Sequence, residues 1–368
     1  MIIDRIVPHH IRIPFDAGAA NFTQAGKGTT ALDIILVEVV TDTGLTGWGD
    51  AFAYACSDAV VAAIKQMVAP RAVGQAVPNV ATIPAFMDRL QQQLHLFGRY
   101  GVTMFAMSGL DIALWDLAAK VEGKPLSDLF GPRRRAAIPA YASLLPIGDP
   151  QKIASECKQA LAKGYAAIKL HETTVDAVAA ARAAIGPDVP LMLDMNCPID
   201  AADAIAFAIA CRPYAPLFLE EPVWPPEDFR ALARVQATGG IPLAAGENAC
   251  TAYQFRELME QNAVSWVQPS VTKVGGVTEY VRVVALADRF NMRLMPHSPY
   301  FGPGLLATLQ MLSLRDDGSF VERFYMERAA RLWGKALELD SSGAIRVPVG
   351  PGLGLEPDRD VIESYRVS

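Results

Sequence analysis

The stretch Ala166-Ala167-Ile168-Lys169-Leu170-His171 is followed by Leu191-Met192-Leu193-Asp194, Leu217-Phe218-Leu219-Glu220 and Leu243-Ala244-Ala245-Gly246-Glu247. Each is an apolar run ending in a side chain that can bind a metal or carry a proton. Lys273 and His297 continue the series, and the six residues Lys169, Asp194, Glu220, Glu247, Lys273 and His297 stand 24 to 27 positions apart. A strand, a helix and two short loops consume roughly that many residues, so consecutive βα units offering one side chain at each strand end produce this period. The reading is a barrel with a charged mouth.

Outward from that stretch, eight runs read as strands: 138–142, 166–170, 191–194, 217–220, 243–245, 265–268, 293–295 and 324–327. They alternate with Ala-rich amphipathic helices, which implies a parallel sheet. Eight strands favour closure over an open doubly wound sheet, and no Gly-x-Gly-x-x-Gly follows the first of them. The chain has 368 residues, more than such a barrel uses, so a second domain is expected.

That domain lies at the amino terminus. Residues 1–15 and 32–41 alternate as strands, and a turn at 42–45 leads into a short strand at 47–49. The Gly- and Ala-rich loop 17–28 between the first two strands is long for a hairpin, which marks it as disordered or functional. Helices are expected at 58–69, 80–97 and 108–121, the last capped by Ser108 and stopped by Gly123 and Pro125. The domain is α+β and ends near 125–135. Residues beyond 335 read as strands and turns that return to it.

Composition narrows the function classes. The chain is 51% hydrophobic and 20% charged with net charge −6, which fits a globular protein with a large core. No Lys/Arg run exceeds Arg133-Arg134-Arg135, leaving no footprint for nucleic acid. Five scattered cysteines without Cys-x-x-Cys spacing argue against a disulfide framework and for a reducing cytoplasm. No membrane segment is expected, since the apolar run 34–40 is broken by Glu38.

Asp194, Glu220 and Glu247 come from consecutive strands and project at one face. Three uncompensated carboxylates repel unless a hard cation sits among them, and an all-oxygen set suits Mg²⁺. The plain alternative is that each acid caps its following helix. Lys169 and His171 share a side of their strand, and the barrel interior is where an isolated Lys has a purpose. His297 faces them from the seventh strand end. A cation flanked by bases suggests removal of a proton from a carbon next to a carboxylate, with the metal stabilising the enediolate.

These residues resemble the enolase superfamily, in its mandelate racemase and muconate lactonizing branch. The marks are the run 109–117, Lys169-Leu170-His171, Asp194-Met195-Asn196, Glu220-Glu221-Pro222, Gly246-Glu247-Asn248, Lys273-Val274-Gly275-Gly276 and Pro296-His297. The resemblance implies a (β/α)7β TIM-type barrel at 131–335 and an α+β capping domain at 1–130, completed by a carboxy-terminal segment at 336–368. It implies one Mg²⁺, with Mn²⁺ as alternative, on Asp194, Glu220 and Glu247. Lys169 would neutralise the substrate carboxylate, His171 would be the base on one face, His297 or Lys273 would act on the other, and Glu327 would hydrogen-bond the enediolate oxygen. Glu221, Asn196, Asn248, Ser270 and Tyr300 would support the site, while lid loops at about 17–28 and 50–58, with Asn21, Gln24 and Tyr54, would set substrate choice. The resemblance implies a small carboxylate as partner and a homo-oligomer, dimer or octamer by analogy with relatives.

Two positions depart from the family pattern. His171 stands where a second Lys is usual, and Ser270 stands where an Asp usually orients the histidine, which leaves His297 less basic. Dehydration of a sugar acid is therefore the first expectation. A racemase, epimerase or cycloisomerase is the nearest alternative, and a catalytically silent carboxylate-binding paralogue the second.

Overall fold

The computed structural model describes residues 1–20, 23–24 and 27–367, with the side chains of Thr23, Gln24 and Lys27 outside the description. Three antiparallel strands, Ile3–Asp16, Ala31–Thr41 and Thr46–Ala51, open the chain. The middle one is buried along both faces because successive side chains serve different partners. Ile35, Val37 and Val39 pack on the helical layer. Leu32, Ile34 and Leu36 instead join Leu145, Phe301 and Phe324 from the barrel, and this seats the sheet over the barrel mouth.

The helix beneath that sheet spans Val102–Val121 and is apolar on nearly every side. It is long and apolar enough to cross a bilayer, yet 89% of its apolar window is buried inside the protein, as a central core helix requires. It begins six residues before Ser108, so the expected cap is corrected. Ser108 is fully buried, its Oγ donating to Met104 O at 2.7 Å and accepting from Gly275 N at 3.0 Å, so its hydroxyl serves the seam with the barrel. The other two helical regions appear as Ser57–Ala72, with a π turn at Ile64–Val68, and as Ile83–Gln93.

Sheet and central helix touch through glycine. A Cβ on Gly49 would lie 1.8 Å from Gly109 O, closer than any side chain allows. Gly49→Ala is therefore expected to cost about 3 kcal/mol or more, read as a lowered urea midpoint by Trp fluorescence. An unchanged midpoint would mean that the seam is slack.

The barrel strands are Ala137–Leu144, Ala167–Leu170, Leu191–Asp194, Phe218–Glu220, Leu243–Ala245, Trp266–Val267, Arg293–Leu294 and Val321–Phe324. They run parallel, each paired with the next through the seventh, and the eighth pairs with the first. Among the described residues no backbone ladder joins the seventh strand to the eighth. Ser298 N donates to Glu322 Oε2 and Glu322 N to Ser298 Oγ, both at 3.1 Å, and these bonds bridge the gap. Tyr141, Met192, Phe218, Trp266 and Met295 fill the interior, so the barrel is a packed core with its chemistry at one end. The eighth strand lies three residues earlier than expected.

Past the barrel, Ala344–Arg346 pairs antiparallel with the first barrel strand. The chain then forms a short helix, Arg359–Ser364, where the sequence reads as strands and turns. Arg12 N donates to Tyr365 O and Val367 N to His10 O, both at 2.9 Å, so the tail finishes on the amino-terminal sheet.

Candidate active site

Lys169 points inward from the second strand and is 1% exposed. Its Nζ reaches Asp194 Oδ2 at 2.9 Å, Glu220 Oε2 at 3.1 Å and Glu322 Oε1 at 2.9 Å. Burial alone would lower this amine, but Asp194, Glu220 and Glu322 outweigh it and hold the ammonium well above its ordinary range. It is a fixed cation at the floor of the mouth, not a snorkelling rim residue.

Asp194, Glu220 and Glu247 each offer an oxygen within 4.8 Å of the others. The protein compensates them unequally. Burial, opposed and outweighed by Lys169 and His171, leaves Asp194 low at about 2, whereas burial and the neighbouring Asp194 push Glu220 well up. Among the described residues, the buried Glu220 Oε1 has no hydrogen-bond partner. An orphaned carboxylate oxygen beside two further acids is the donor set that a hard dication takes.

Each histidine has a contact at both nitrogens. His171 Nδ1 lies 2.6 Å from Leu144 O, which can only accept, so Nδ1 carries the proton. Its Nε2 is left 3.2 Å from Asp194 Oδ2. His297 Nε2 is 2.9 Å from Glu247 Oε2, and its Nδ1 is 3.2 Å from Ser270 Oγ. Tyr300 Oη donates to His297 O at 2.8 Å and touches Ser270 Oγ. Since the tyrosine proton goes to that carbonyl, Ser270 donates to Tyr300 and accepts from Nδ1–H. The ring thus closes without a carboxylate.

A cavity of about 320 Å³ brings together Lys169, His171, Asn196, Glu247, His297 and Glu322 under a lid-side wall of Phe52, Tyr54, Leu145, Pro146 and Phe324. Lys273 is not on that wall. Its Nζ stands 3.4 Å from Glu247 Oε1 and from Asn248 Oδ1, with the Phe52 ring 4.7 Å away. Glu221 also lies behind the site, accepting from Asn248 Nδ2 at 2.8 Å, and burial and then Glu247 push it up to about 8. Tyr54 Oη donates to Pro299 O at 3.2 Å, tying the 50–58 segment to the loop that carries His297.

Glu327 requires correction. It is exposed at the surface, pairing with Lys163 at 3.0 Å and with Arg331. With the eighth strand at Val321–Phe324, alternation turns Glu322 inward instead, where Ser143 Oγ and Lys169 hold it. The period-2 pattern of Val321, Glu322, Arg323 and Phe324 carries that signal. Asn21 and the Gln24 side chain lie outside the described residues. Nothing along the chain singles out Phe52, Leu145 and Pro146, whose role depends on which loops meet.

Comparison with known proteins agrees with this geometry. Residues 19–131 match the mandelate racemase/muconate lactonizing enzyme N-terminal domain model, and residues 152–361 match the enolase C-terminal domain-like model. The chain is 30% identical to a D-galactarolactone cycloisomerase of Agrobacterium fabrum, over 98% of this chain and 97% of that protein. It is also 30% identical to a D-galactonate dehydratase of Ralstonia pickettii, over 89% and 90%. A racemase structure from Streptomyces coelicolor with bound magnesium superimposes with TM-score 0.86 at 27% identity, covering 99% of this chain and all of that one. With both models matched in order, the chain belongs to the mandelate racemase and muconate lactonizing enzyme family of the enolase superfamily.

Proposed function

We propose that the protein is a Mg²⁺-dependent acid-sugar dehydratase, removing the α-proton of a small sugar carboxylate and then expelling a β-hydroxyl. The observation that carries this reading is the pair of histidines of unlike character facing one cavity. His171, its Nδ1–H fixed on Leu144 O and its pKa raised, against burial, by Asp194 Oδ2 at 3.2 Å from Nε2, is the base for the α-carbon. His297, with Nδ1 on the Ser270 hydroxyl and Nε2 2.9 Å from Glu247 Oε2, stands across the cavity as the acid that protonates a departing hydroxyl. The Cα–H electron pair becomes the new double bond, the Cβ–O bond breaks, and the hydroxyl leaves as water with the proton from His297. The resulting enol then tautomerises to a 2-keto-3-deoxy acid.

Asp194, Glu220 and Glu247 would hold Mg²⁺, which when bound stabilises negative charge developing on the substrate carboxylate. Lys169 adds a fixed positive charge beside it, and Glu322 with Ser143 keeps that ammonium in place. The names of the relatives, dehydratases and a cycloisomerase, support the substrate class. Incubation with Mg²⁺ in D₂O across a panel of acid sugars tests the reading. A 2-keto-3-deoxy product supports it. Deuteration with all hydroxyls retained selects a racemase or epimerase instead, and neither result across the panel sinks the proposal.

The hydroxyl ring makes a sharper prediction. Tyr300→Phe removes the acceptor for Ser270 and frees the serine proton to bond His297 Nδ1, which disfavours the Nδ1–H form. Product formation is expected to fall roughly 10-fold or more, while α-deuteration through His171 continues near the parent rate. An equal fall in both would remove the separate acid role of His297.

A further inference from the structure

The eighth barrel strand carries charge on both faces. Glu322 and Phe324 line the active-site cavity, and Arg323 between them lines a second cavity on the other side, shared with Phe301, Arg328, Arg331, Trp333 and Glu338. Arg323 is 8% exposed, and among the described residues its buried Nη1 has no hydrogen-bond partner. Arg323 and Arg328 both lie against the Phe301 ring, at 5.2 and 4.0 Å from its centre. The nearby acids are already engaged: Glu327 pairs with Lys163 and Arg331, and Glu338 with Arg331. Among the described residues, neither Arg323 nor Arg328 has an ion-pair partner of its own.

Such an arrangement is costly. A guanidinium cannot shed its proton, so a buried, unpaired one has no route to neutrality within the protein. Two of them beside a third repel as well. Burial and then Arg323 and Arg331 push Arg328 down to about 9. Stacking on Phe301 offsets part of this, but it leaves Arg323 Nη1 without an acceptor.

We propose that this cavity binds one monatomic anion of the chloride type, held by Arg323 and Arg328. The space is about 10 Å³, on the order of one small occupant, which points to a monatomic anion over a polyatomic one. The anion links three parts of the chain: the eighth strand, the loop bearing His297 and Phe301, and the segment from Arg328 that follows that strand. Trp333 Nε1 donating to Phe301 O at 3.1 Å closes the same junction. The role is structural, and the site lies outside the reaction cavity.

Two measurements on the full chain test this. Crystals of the unaltered protein grown in bromide are expected to show an anomalous peak in contact with the Arg323 guanidinium. Thermal denaturation at constant ionic strength is expected to show a Tm higher by roughly 2 °C or more in chloride than in gluconate, and Arg323→Met should abolish the difference. Should that variant fail to fold, the bromide crystals and the salt comparison on the parent protein still decide. A water in the cavity, equal Tm in the two salts, or a bromide peak that survives Arg323→Met would each overturn the site.

Discussion

Lys169→Met is expected to destabilise the metal-free protein by about 3–5 kcal/mol, because it leaves Asp194, Glu220 and Glu322 buried around an apolar side chain. The three contacts lie between 2.9 and 3.1 Å, and the ammonium is 1% exposed, so solvent screens little of the effect. Mg²⁺ should return part of the loss, since a dication near two of these acids can take over the neutralising role. The Tm gain on adding Mg²⁺ should therefore be larger in the variant than in the parent. Stability and catalysis separate at that point: with Mg²⁺ present the variant folds, yet α-deuteration is expected to fall roughly 10²–10³-fold, because the fixed charge beside the substrate carboxylate is gone. A variant that melts with the parent in EDTA would show that the carboxylates take up protons and that Lys169 is not their necessary counter-charge.

Glu220→Gln is expected to weaken Mg²⁺ binding by about 100-fold or more, measured by calorimetry, a larger change than loss of a supporting residue produces. The substitution preserves shape, and its amide oxygen can still accept from Lys169, so the fold is expected to survive. What it removes is one negative charge, and the amide cannot serve as an anionic ligand through the oxygen that now lacks any partner. Without bound metal, deuterium exchange should fall to background. The matched control is Glu221→Gln, one residue away but turned toward Asn248 and Cys197, for which a much smaller loss of affinity is expected. Equal affinities for the parent and Glu220→Gln would move the metal elsewhere.

Much of the site is legible in the order of residues along the chain. Lys169, Asp194 and Glu220 lie within or at the ends of regular strands, where a parallel sheet gives every side chain a definite direction. Their meeting follows from the period alone. The eighth strand is harder, because Val321 to Arg328 holds two acids and either could end a strand. Backbone pairing of Val321–Phe324 with residues 140–143 of the first strand decides for Glu322. Ser108 misleads for a related reason: a serine ahead of an apolar run looks like a cap, but its hydroxyl is spent on a long-range contact with Gly275.

What the sequence by itself determined is the alternation of strand and helix, the order of the acids and bases, and the two departures at His171 and Ser270. The first two are properties of local pattern, which a period of 24 to 27 residues suffices to express, and the departures are legible only beside the family's motifs. Tertiary structure alone decided that Lys273 lies behind Phe52 while His297 lines the cavity, that Tyr300 joins Ser270 beside His297, and that Arg323 is buried with no counter-charge among the described residues. Each of these depends on distances between side chains from different loops. Such distances are set by how the capping sheet and the tail close over the barrel, which no spacing along the chain records.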